Sequence, residues 1–210
     1  HVPRLRGVVA LAKALQFPVD LLLTQEIDIL QDVETVVPAL QWQELPVTVD
    51  MKAMGERIRA LRRSQNDESK GQSVAFVEQI GMDYNVYNNV ELGKHDDLRL
   101  PTVIKIANFY HKSIFYLVTG KLSSVVYPDF DLAVIKENLG NNVSYLREKA
   151  RMTRDALAEI SSVKKRTIEA IEREGNIGQL QSVVALARAL QVPVEILLGT
   201  HGNLRRYIEY

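Results

Sequence analysis

The 210-residue chain carries 26 basic and 26 acidic side chains, so no global field draws it toward nucleic acid or repels it. It contains no cysteine, which excludes a disulfide scaffold and any thiolate metal site and fits a reducing cytoplasm, the expected location. The longest apolar runs, "FPVDLLL" and "VPVEILL", are far too short to cross a bilayer, and no secretory signal is visible.

The first predicted element is a pair of short helices. Leu5, Val8, Leu11 and Leu15 recur at helical spacing, and Pro18 then opens a second piece that carries Leu22. The string from Val8, "VVALAKALQFPVDLLL", returns from Val183 as "VVALARALQVPVEILL". A more divergent copy, "RLPTVIKIANFYHKSIFYLVTG", runs from Arg99 to Gly120 with the same apolar phase at Leu100, Val103, Ile106, Ala107, Tyr110, Ile114 and Leu117. Self-similarity of this kind marks a duplicated structural unit, so three copies are expected. A helix pair this short cannot bury its apolar face alone. Residues 1–25 are therefore read as the closing half of a unit whose front helices are encoded upstream of His1, with burial against a second chain or against the unit that follows as the other ways to cover the stripe.

Residues 26–50 are acidic and broken by Pro38 and Pro46, which predicts a short helix and then an extended linker, with Trp42 as a packing anchor. The second unit, 51–122, starts with a helix over "MKAMGERIRALRR". An insertion, "SQNDESKG", carries Asp67 and Glu68, and a helix over "SVAFVEQI" follows. Gly81 marks a turn, Asp83 is an N-cap for "YNVYNNVEL", and Gly93 closes that helix. Residues 123–140 read as a connector. The third unit, 141–210, has helices over "NNVSYLREKARM", over "TRDALAEI" capped by Thr153, and over "KRTIEAIERE" closed by Gly175. Leu180, Val183, Val184, Leu186, Ala187 and Leu190 then form the apolar face of the closing pair, which Pro193 interrupts. A C-terminal tail follows.

In the third unit small residues stand where two helices cross, as Leu157-Ala158-x-x-x-Ser162-Val163-Lys164, followed by core-facing Ile168 and Ile171 and then Glu172. The second unit repeats the plan as Phe76-Val77-x-x-x-Gly81-Met82-Asp83, then Val86, Tyr87, Val90 and Glu91. Both resemble the phage repressor and Cro type of helix-turn-helix, the Xre family, because turn, glutamate and terminal "ALxVPVEILL" pattern occur together in order. The resemblance implies an all-α fold of tandem five-helix lambda-repressor-like domains, the first truncated. It also implies bacterial or phage origin, homodimeric binding of double-stranded DNA and transcriptional control.

Carried over by position, it assigns phosphate contacts to Thr153 and Arg154, and to Gln72 and Ser73, at helix starts where backbone N–H groups favour anions. It assigns base reading to Lys165, Arg166 and Ala170, with Lys164 beside them, and to Tyr84, Asn85 and Asn89. Arg and Lys suit guanine O6 and N7, and Asn suits adenine N6 and N7. It further implies that Arg147 pairs with Glu172, and Arg62 with Glu91, tying the first helix to the end of the recognition helix. The chain departs from the pattern at "Glu172-Arg173-Glu174-Gly175", one residue longer than usual, and at Lys164, where a hydroxyl is usual.

His95, His111 and His201 have no spacing for a metal site, and no catalytic constellation is visible, so neither a metal, a cofactor nor enzymatic activity is expected. The rival reading is a protein-interaction regulator, an antitoxin or anti-activator whose units bind another regulatory protein. Zero net charge and the acidic insertion favour it.

Overall fold

In the computed structural model, which describes residues 42–64, 77–95, 97–122 and 130–209, the first long helix is α1 (Met51–Ser64). It is followed by helical residues 77–79, α2 (Tyr84–Glu91), α3 (Leu100–Tyr110) and α4 (Ile114–Thr119). The later segment holds α5 (Leu132–Lys149), α6 (Arg154–Ser161), α7 (Lys165–Glu174), α8 (Leu180–Ala189), α9 (Val194–Leu198) and α10 (His201–Glu209). Among the described residues all long elements are helical. The first half unit over 1–25, the short helix expected after it, and the insertion with Gln72 and Ser73 lie outside the described residues.

The helix ends follow from local chemistry. Asp83 accepts hydrogen bonds from the Asn85 and Val86 amides at the start of α2, and Thr153 accepts from the Ala156 amide at the start of α6. Lys164 precedes α7 with no side-chain cap. Gly81 and Gly175 both sit at φ 62°, left-handed backbone that glycine adopts without strain. Ser162 takes the same region at φ 60° in the turn between α6 and α7.

One boundary differs from the sequence reading. α5 begins at Leu132, well before Asn141, so the second half of the expected connector is helix. Asp131 caps it by accepting from the Ala133 amide, and Ile135, Leu139, Val143 and Leu146 put one apolar stripe into the core. The tail is also helical: α10 packs on α5 and α9 and buries Leu204. Trp42 is half-buried against the core.

The two segments hold their closing helices in matching ways. In the earlier one, Arg57 of α1 donates from Nη1 to the Leu117 and Val118 carbonyls, both 2.9 Å away, at the end of α4. In the later one, Asn142 of α5 donates from Nδ2 to the Leu197 and Gly199 carbonyls at 3.0 and 2.9 Å. Each first helix thus satisfies carbonyls that a helix C-terminus leaves without intrahelical partners.

The segments also join each other. Leu98 and Gly178 each stand two residues before the first residue of α3 and α8, which are Leu100 and Leu180. The Leu100 amide donates to the Gly178 carbonyl at 3.3 Å, and the Leu180 amide donates to the Leu98 carbonyl at 2.7 Å, flanking an antiparallel bridge between Arg99 and Gln179. α3 packs on α8 and α4 on α9. Gln181 ties in the linker, accepting from the Val49 amide at 2.7 Å and donating to the Val47 carbonyl at 2.8 Å. Buried apolar residues from Leu45 to Leu204 consequently form one cluster.

Glu195, 1% exposed, lies in this junction and accepts from the Phe115 amide at 2.7 Å through Oε1, while Oε2 has no hydrogen-bond partner among the described residues. Burial pushes its carboxyl above the usual carboxylate range, and the hydrogen bond from Phe115 only partly opposes this. In acid, Glu195 is neutral in both folded and unfolded chains. As pH rises, the unfolded chain releases its proton first, so stability falls through the window between the ordinary value and the raised folded one. Glu195→Gln should remove that fall, read as the difference between wild-type and variant urea midpoints across the acid-to-neutral range. A difference that does not change with pH would refute the assignment.

Candidate nucleic-acid interface

α6 and α7 meet through a turn at Ser162–Lys164, and α7 is set against α5 from below. Ile168 and Ile171 are fully buried on that side. The close approach has a backbone cause: a Cβ at Gly140 of α5 would lie 2.4 Å from the Ile171 carbonyl oxygen. Gly55 of α1 abuts α2 in the same manner, since a Cβ there would lie 2.5 Å from the Val90 carbonyl oxygen.

A buried ionic cluster fixes the end of α7. The Glu172 side chain is 1% exposed and accepts from Arg147 Nε at 2.8 Å and Nη2 at 3.2 Å, and from Arg154 Nε at 2.6 Å. Arg147 also donates from Nη1 to the Met152 carbonyl at 2.9 Å, pinning the loop before α6. The hydrogen bonds to Glu172 hold the Arg147 guanidinium above its ordinary pKa. In the earlier segment Arg62 meets Glu91 in a bidentate pair at 2.7 and 2.9 Å, with Arg59 3.7 Å away. The partners stand 29 residues apart there and 25 in the later segment, so the intervening chain is longer in the earlier one. Beneath α2, Tyr87 and Tyr110 share a buried hydroxyl–hydroxyl hydrogen bond of 2.9 Å.

With those anchors, the start of α7 projects outward. Lys164, Lys165 and Arg166 are exposed and Ala170 is half-buried. Lys165 meets Asp155 of α6 at 2.9 Å, a solvent-facing pair that raises the lysine pKa. Such pairs are weak and exchange readily for another anion. Arg154, assigned to phosphate by position, instead gives its guanidinium to Glu172. Thr153 is exposed but spends its hydroxyl on the α6 cap.

Residues 143–197 match the model of a family described as helix-turn-helix. This segment is a helix-turn-helix of the Xre type. No curated protein and no solved structure matches the chain.

Within the helix-turn-helix, α7 occupies the position of the helix that enters the major groove, and its basic start is exposed, as are Arg173 and Glu174 at its end. Sequence reasoning overlooked Arg151. It is exposed, takes φ 54° and stands two residues before Thr153, adding a cation beside the start of α6. Its unusual backbone carries no sequence signal, since left-handed arginine is rare. In the earlier segment Tyr84 and Asn85 are exposed at the start of α2 and Asn89 is half-buried, while the Asp83 carboxylate is occupied by two amides. A groove of about 690 Å³ lies between the start of α2 and the end of α7, with Arg99 and Lys136 among its lining residues. No described helix is long and apolar enough to cross a membrane.

Proposed function

We propose that this protein is a sequence-specific DNA-binding transcriptional regulator of the phage repressor type, acting in the cytoplasm and contacting operators through the start of α7. The observation that carries this reading is the helix-turn-helix match over 143–197 together with the exposed cluster Lys164, Lys165 and Arg166 at the start of its second helix. Arginine and lysine at that position reach guanine O6 and N7, and Arg151 and Lys164 supply phosphate contacts. The buried cluster around Glu172 has a mechanical role: it holds α7 rigid, so that base contacts do not have to order it.

Duplex binding should weaken linearly in log affinity against log salt. Arg166→Ala should cost about 1–3 kcal/mol at one base position and relax specificity there. Lys164→Ala should weaken all duplexes alike and reduce the salt slope by about one. Fluorescence anisotropy on duplexes of varied sequence reads all three effects. Wild-type behaviour of both variants on every duplex would remove the later segment as the reader.

One observation favours a protein partner instead. Tyr84 and Val86 are 42% and 40% exposed at the start of α2, giving an apolar edge on a chain of zero net charge. Binding insensitive to salt would favour that reading.

A further inference from the structure

We propose that one chain reads, by itself, two unlike half-sites in inverted orientation, the earlier segment taking one and the later segment the other. The inference rests on the DNA-binding reading above and names the class of operator that it takes.

The argument begins with the junction. In a two-fold interface, residue i of one unit contacts j of the other, and j contacts i. The two backbone hydrogen bonds have that form: the first residue of α3 donates to the residue two before α8, and the first residue of α8 donates to the residue two before α3. The bridge between Arg99 and Gln179 joins the residues immediately before the two helices. α3 meets its counterpart α8, and α4 its counterpart α9. The relation between the segments is therefore an approximate two-fold within one chain.

Each outward helix is fixed in its own segment by equivalent parts. α2 is held by Arg62–Glu91 and by Gly55 beneath Val90, and α7 by Arg147–Glu172 and by Gly140 beneath Ile171. A two-fold that relates the junctions then relates α2 to α7, and recognition helices related this way meet inverted half-sites. The face a second copy would use for such pairing is already filled by the same chain.

The half-sites are unlike because the side chains are. Behind Lys164, α7 begins with Lys165 and Arg166, suited to guanine, whereas behind the Asp83 cap α2 begins with Tyr84 and Asn85, of which the asparagine suits adenine. The acidic cap in place of lysine predicts the weaker contact on the α2 half.

The test selects duplexes from a randomised 40-base-pair pool (a length of about four helical turns) with the full chain, and then measures stoichiometry by sedimentation. The expected result is one chain per duplex, two different half-sites inverted at one fixed spacing, and variants that act on separate halves. Arg166→Ala should lower affinity for changes in one half by about 5- to 150-fold, and Asn85→Ala should do so only in the other. Both residues are exposed, so both variants should keep the wild-type helical signal. Two chains on identical inverted half-sites, or a single half-site indifferent to Asn85→Ala, would overturn the arrangement while leaving DNA binding intact. A pool from which no duplex is retained at low salt would overturn both readings.

Discussion

Arg147→Met should destabilise the later segment by about 3–5 kcal/mol, the largest loss expected from any single replacement around α7. The reason is the partner left behind. Glu172 is 1% exposed on its side chain, and water cannot replace the guanidinium that holds it from two nitrogens. Arg154 stays within 2.6 Å, so the carboxylate is not wholly stranded and the cost should fall toward the lower end. The Met152 carbonyl also loses its donor, which loosens the loop leading into α6. Replacing Glu172 as well, in Arg147→Met with Glu172→Leu, should cost less than the sum of the two single changes, because neither charge then remains buried alone. Urea denaturation of the four proteins reads this coupling. A single-variant loss below about 1 kcal/mol would mean that the pair behaves as a solvated surface bridge.

Gly140→Ala is the second large effect, and it arises without any charge. The added Cβ meets the Ile171 carbonyl oxygen at 2.4 Å and the Glu172 Cα at 3.2 Å. Both obstacles are backbone, so no side chain can swing away and α5 must separate from α7. Overpacking of this kind costs about 1–3 kcal/mol. Because the displaced element is the proposed recognition helix, DNA affinity should fall even at temperatures where the variant stays folded. Gly202→Ala in α10 is the matched control. Its nearest neighbour beyond the local backbone is Thr200 Oγ1 at 3.9 Å, so it should be neutral or stabilising by up to about 1 kcal/mol. Equal thermal midpoints for Gly140→Ala and wild type would show that the helices have slack at the crossing.

Much of the later segment was legible because its signals are local. Thr153, Gly175 and the stripe from Leu180 to Ala187 each act within a turn or two of their own position, where capping and periodicity operate. The start of α5 was not. Gly140 reads as a helix breaker when only propensity is weighed, yet it is small because another backbone passes beside it. The junction was invisible for a different reason. It is made by amides and carbonyls at Leu98, Leu100, Gly178 and Leu180, and main-chain groups are the same in every sequence. At the candidate interface, the placing of Lys164 and Arg166 at the outward start of α7 followed from the resemblance, position by position. The commitment of Arg154 to Glu172 did not, since position says which face a side chain occupies but not which of two anions it prefers.

The junction carries one asymmetry with a consequence for which units can pair. Phe115 and Glu195 are each the second residue of their helices, α4 and α9, and therefore occupy equivalent places across the approximate two-fold. In the folded chain the buried Glu195 carboxyl is met by backbone amides, that of Phe115 at 2.7 Å, and by no cation among the described residues. If two later segments from different chains paired in the same way, two buried carboxylates would approach a common axis. Two such groups cannot both ionise at close range without a large penalty. Mispairing between chains is thus opposed, because a second buried carboxyl must either repel the first or take up a proton, while pairing within the chain brings a single acid to the axis. During synthesis, when many copies of the later segment emerge near one another, that difference favours the partner already attached by the connector.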